Sequence, residues 1–122
     1  MTASYRIDTS LGVVFTTADG VLTAEDVERH RETLRQDPDF DPGLNQLMDL
    51  RDVVEFGISA GDIAKVSRNQ KLFGKGSRRA IVTATDLSFG LARMFEMHTD
   101  VDSGEVRVFR DVAEARRWLG LE

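Results

Sequence analysis

The sequence contains no cysteine. That removes disulfides, thiolate nucleophiles and cysteine-ligated zinc or iron–sulfur clusters together, and it suits a reducing compartment. Histidine is almost as scarce: His30 and His98 are the two present, and each falls on an apolar helical stripe, where packing is the commoner role. No run of 18 apolar residues occurs, and the opening MTASYRIDTS lacks the basic start and apolar core of a signal peptide. The expectation is a cytoplasmic protein with no membrane span. Cations are outnumbered, 16 Lys and Arg against 21 Asp and Glu for a net charge of −5, which disfavours non-specific nucleic-acid binding. What remains is ordinary for a globular chain, with 122 residues, 41% of them hydrophobic and 30% charged. One domain over residues 1–122 is expected, without linker, repeat or low-complexity segment.

Along the chain, YRIDTS and GVVFTTADG are short runs rich in β-branched and aromatic residues, and Ser10-Leu11-Gly12 between them reads as a hairpin turn. ADG breaks the second run. Thr23 precedes AEDVERHRETLRQ, where Val27, His30 and Leu34 share a face, so a capped helix starts there and ends near Asp37-Pro38. NQLMDLR is a short buried strand leading through a turn. A second helix spans about Ser59 to Phe73, with Ile63, Val66 and Phe73 inward. RRAIVTA is the clearest central strand. Asp86 caps a third helix, LSFGLARMFEMH, with Leu87, Leu91, Met94, Phe95 and His98 on one stripe, and GEVRVFR and VAEARRWLGL are the last strand and helix, the latter capped by Asp111. The order β-β-α-β-α-β-α-β-α predicts an α/β fold: a mixed, mostly parallel sheet with one antiparallel edge and about four helices. It fits a two-layer or a three-layer sandwich.

This order, the LMDLRDV strand running toward helix 2 and the closing FRDVAEARRWLG resemble the SpoIIAA-like, STAS-type domains. That is the fold of anti-sigma-factor antagonists and of sulfate-transporter tails. SFGLARMFE and VFRDVAEARRWLG are similar to an uncharacterised bacterial STAS-like branch of the superfamily. In the antagonists an Asp-Leu at the strand end is followed, eight residues after that Asp, by Asp-Ser-Ser-Gly, whose second serine is phosphorylated. Counted from Asp49, the matching positions are Gly57, Ile58, Ser59 and Ala60, and Ser59 is the one that agrees. The resemblance therefore implies Ser59 as a phosphorylation or interaction site, with Asp49 at the strand end.

The residues themselves give Ser59 a second role. SAGD places Asp62 three positions after a serine, which approximates a capping box, and a phosphate at the same spot would meet unsatisfied N–H groups. Asp49, Asp52 and Glu55 form a candidate acid cluster without base, nucleophile or metal partner, and His98 with Asp100 and Asp102 makes a weak metal set. GKGS fails as a phosphate loop because Asn69 stands where its first glycine is required. Lys71, Lys75, Arg78 and Arg79 suggest a solvated positive spot. Phe89, Ala92 and Met97 add apolar surface to helix 3 outside its stripe, as for a second partner.

Three functional classes follow. The first is a non-enzymatic regulatory module with an unknown protein partner, acting around helix 2. The second is a carrier or sensor of a small apolar ligand lined by Phe89, Met94, Phe95 and Met97. An enzyme, with Asp49 and His98 as its candidates, ranks last. No cofactor or metal is expected, and the outer Phe89 and Met97 suggest a homodimer.

Overall fold

Asp8 reverses the chain. Its Oδ1 accepts from the Ser10 amide at 3.0 Å, the Ser10 hydroxyl at 2.6 Å and the Leu11 amide at 3.0 Å, closing an antiparallel hairpin between β1 (Ala3–Asp8) and β2 (Val13–Thr23). The computed structural model describes residues 3–68 and 72–121. After the hairpin come α1 (Ala24–Arg35), β3 (Asn45–Gly57), α2 (Ala60–Arg68), β4 (Arg78–Val82), α3 (Asp86–His98), a 3-10 turn at Val101–Ser103, β5 (Glu105–Phe109) and α4 (Val112–Trp118). The five strands lie in the order β1-β2-β3-β4-β5, and β2 to β5 are mutually parallel. This is the mixed, mostly parallel sheet with four helices that the sequence order predicts.

Right-handed crossovers that advance in one direction put successive helices on one face, and the cores agree. Ala18, Leu50, Ile81 and Ala92 pack together under α1, α2 and α3, while Val13, Leu47, Ala80, Val82, Ala115 and Leu119 pack under α4. The architecture is therefore three-layered, three helices on one face and one on the other. Alternation along β4 sorts its side chains: Arg79 and Ile81 turn toward the three helices, Ala80 and Val82 toward α4.

The caps follow local chemistry. Thr23 Oγ1 accepts from the Asp26 amide and the Asp26 carboxylate accepts from the Thr23 amide, a complete capping box for α1. Asp111 caps α4 by accepting from the Ala113 amide at 2.8 Å. For α3 the cap is Thr85 instead of Asp86, because Thr85 and Ser88 satisfy each other's amides and leave Asp86 to pair with Arg110.

Other boundaries differ from the sequence reading. ADG bends β2 without ending it: Gly20, at φ 67°, takes a conformation costly for other residues, and pairing resumes with Val21 opposite Glu55. That partner exists because β3 runs 13 residues, through the stretch expected to be a turn. Phe73, placed by the pattern on α2, instead lies beyond it and packs with Val14 and Leu34. Asn69 and Lys71 fall outside the described residues.

Candidate functional site: an apolar cavity and a buried arginine pair

Between the sheet and the three helices lies a cavity of about 100 Å³. It forms where the sequence places alanine: Ala3 and Ala18 on the sheet and Ala92 on α3 leave unfilled the space that Leu22, Met48, Phe56, Ile63 and Phe95 surround. Thr16, Asp26 and His30 are its polar lining residues. A cleft of about 270 Å³ between β1 and α1, lined by Tyr5, Arg29 and Thr33 among others, shares Ala3, Asp26 and His30 with the cavity.

His30 stands at this junction. Its Nε2 lies 3.2 Å from Thr16 Oγ1, which also accepts from Gln46 Nε2 at 3.0 Å, and its ring meets Tyr5 edge-on at 5.5 Å. Burial, and then the neighbouring Arg31 charge, push its pKa down to about 4, so the imidazole is neutral at neutral pH.

A second, smaller space of about 40 Å³ abuts the cavity, and Val27, His30, Met48, Ile81 and Phe95 line both. Its polar walls are Arg31, Gln46 and Arg79. The two arginines are only 8% and 5% exposed. Arg79 donates from Nη2 to the Ser103 carbonyl at 2.9 Å and lies 4.8 Å from the centre of the Phe73 ring. Burial, and then Arg31, draw its pKa down to about 9, and burial lowers that of Arg31 against the opposing pull of Glu28.

The sequence reading missed this pair. The run of cations groups Arg79 with surface charge, although its spacing of two from Ile81 on a central strand places it inward. Arg31, four residues from Val27 and three from Leu34, sits on the inner face of α1 by the same kind of argument.

The predicted residues separate. Ser59 and Asp62 meet at the start of α2. Asp49 points to the α4 face, where Arg51 grips it through Nε at 2.9 Å and Nη2 at 2.7 Å, and these bonds, chiefly, hold its carboxyl below the usual range. It shares no site with Ser59, nor with His98, which is exposed on α3 across the sheet. Of Phe89, Met94, Phe95 and Met97, Phe95 alone lines the cavity. Phe89 lies under the Arg110 guanidinium at 4.8 Å, Met94 is half-buried elsewhere, and Met97 is 75% exposed. Leu87 is 69% exposed and His98 also faces outward, contrary to the stripe read from the sequence. The inner side of α3 is instead Ser88, Leu91, Ala92 and Phe95, with Ala92, expected on the outside, buried. Among the described residues no cluster of three or more His, Asp or Glu side chains is placed to hold a metal ion. None of their helices is long and apolar enough to cross a membrane.

The fold and cavity together define an α/β sandwich of SpoIIAA-like type with a hollow helical face. The SpoIIAA-like family profile matches residues 13–120, and the chain belongs to that family. A crystal structure of an uncharacterised protein of the DUF3478 family with a SpoIIAA-like fold, from Shewanella loihica, is similar at a TM-score of 0.65 and 25% identity, over 97% of this chain and 94% of that one. No curated protein matches the chain.

Proposed function

We propose that the protein is a non-catalytic binding domain that takes a compact apolar ligand into the cavity between the sheet and α1, α2 and α3. The observation that carries this reading is the cavity itself: a partly open hollow of about 100 Å³ lined almost wholly by apolar side chains, the concave, mostly apolar kind of space that small-molecule sites use. Its size sets the class of occupant. An engineered apolar cavity of about 150 Å³ holds benzene and this one is smaller, so the ligand body here is at most a single ring or a short branched chain and not a long acyl tail. Amide-resolved NMR titration with toluene tests the reading. Shifts should concentrate on residues around Ala18, Ala92 and Phe95, and Ala92→Leu, which fills the space, should abolish them while the fold persists. Shifts that are absent, or unchanged in the filled variant, defeat it.

The regulatory reading keeps support from a different observation. Leu87 and Met97 expose apolar surface on α3, which suits contact with a protein partner or a second copy of the chain. Light scattering tests the homodimer: a dimer that Met97→Lys converts to monomer supports it, and a wild-type monomer at high concentration removes it.

A further inference from the structure

We propose that the open edge of β5 is the interface for a second copy of this chain, which pairs antiparallel with it about a two-fold axis at Val106. This is independent of the cavity, and it differs from the α3 contact above by committing to a strand edge and a register. Three observations carry it.

The first is the direction of the backbone groups. The Glu105 amide donates to the Ser77 carbonyl at 2.8 Å, and the Phe109 carbonyl accepts from the Thr83 amide at 3.0 Å. In a strand paired on one side the bonding residues alternate, so Val106 and Val108 turn their amides and carbonyls away from β4, to the edge where the sheet of described residues ends. The second is the absence of protection. β5 pairs with β4 residue for residue, without a bulge, and contains no proline, so the usual devices that blunt an edge are missing from it.

The third is charge. Val106 packs on the side of the three helices, so Glu105 and Arg107, both exposed, stand on the α4 side. Glu105 lies 3.8 Å from Arg78, while Arg107 rests over the Trp118 ring at 5.8 Å with no carboxylate in ion-pair range among the described residues. A two-fold axis at Val106 makes the two valines a hydrogen-bonded pair and sets Glu105 opposite Arg107 of the partner subunit, twice by symmetry. Those are non-hydrogen-bonded positions, where side chains come closest and opposite charges stabilise. Slipping by two residues opposes Arg107 with Arg107 or Glu105 with Glu105, so charge selects the register. The other edge has less to offer: on β1, Asp8 is engaged by its own turn and by Arg6 at 3.9 Å, and Tyr5 donates to Asp37.

Analytical ultracentrifugation at low ionic strength, with circular dichroism to confirm folding, compares the wild type with Glu105→Arg, Arg107→Glu, the exchanged double variant and Met97→Lys. The wild type should dimerise. Either single reversal should weaken the dimer about tenfold, because two cross-strand pairs turn repulsive at once, and the double exchange should recover most of the loss. Met97→Lys should change nothing. A wild-type monomer at high micromolar concentration overturns the proposal, as does a dimer indifferent to both reversals. A dimer lost in Met97→Lys alone moves the interface to α3 and overturns it too. Because the chain has no cysteine, oxidative crosslinking reads the register directly. Glu105→Cys mixed with Arg107→Cys should give a covalent dimer that keeps one Glu105–Arg107 pair, and neither variant alone should. Equal crosslinking within and between the variants overturns the register.

Discussion

Ser59 and Asp62 hydrogen-bond each other in both directions: the Asp62 amide donates to Ser59 Oγ at 3.1 Å, and the Ser59 amide donates to Asp62 Oδ2 at 3.1 Å. The serine that aligns with the phosphorylated position of the anti-sigma antagonists is thus the working cap of α2. Ser59→Ala should lower stability by about 1 kcal/mol, the usual cost of a lost cap, and Ser59→Asp by clearly less, since aspartate caps as well as serine. Urea unfolding measures both. Equal losses would show that the hydroxyl, and not capping in general, is what α2 needs.

Acid should weaken the fold through His30. Its native pKa, about 4, lies below the unfolded value near 6.5, so the unfolded chain binds the extra proton between those pH values and stability falls as pH drops through that window. The full difference corresponds to about 3 kcal/mol. His30→Gln should flatten the wild-type stability profile between pH 4 and 6.5, the interval set by that shift. The lowered carboxyls of Asp8, Asp37 and Asp49 act below it. Parallel profiles for wild type and variant would show that His30 is not the titrating group.

Gly104→Ala should be among the most damaging single changes. Gly104 has φ 93°, and a Cβ there would lie 2.6 Å from the Ser77 carbonyl oxygen. Strain and contact together should cost about 2 kcal/mol or more. The disturbance should reach Arg79, because its hydrogen-bond acceptor is the carbonyl of the preceding residue, Ser103. A midpoint shift in thermal melting within error of zero would contradict the geometry.

Thr83→Val should be neutral or stabilising. Thr83 is fully buried, and its Oγ1 has no hydrogen-bond partner among the described residues. Exchanging the hydroxyl for a methyl keeps the shape and removes a desolvated polar atom. Calorimetry showing a loss above about 1 kcal/mol would mean that the hydroxyl makes a bond in solution.

The framework was legible in the sequence because its signals are local. Thr23 and Asp111 announce their helices, and RRAIVTA can hardly be other than an inner strand. The second half of β3 was not legible, because the charges around Val53 and Val54 imitate a turn. What holds them extended is β2 beyond its Gly20 bulge, a partner more than thirty residues away. The site was hidden for a related reason. A cavity is what several small residues from distant elements leave between them, and neither Ala18 nor Ala92 advertises it alone. Arg79 looked like solvent-facing charge until its strand acquired neighbours on both sides.

The strictly sequential strand order also bears on how the chain is made. Each parallel strand pairs with the one synthesised just before it, so a chain emerging from the ribosome need not hold a strand unpaired while it waits for one made much later. Every closure spans a single crossover, which keeps the entropy cost of each step modest. The exception is α4, which is made last among these elements and packs across β3, β4 and β5. Until it arrives, Leu47, Ala80 and Val82 have no cover on their side of the sheet. The interval between synthesis of β4 and docking of α4 is thus when the nascent protein is most prone to aggregate.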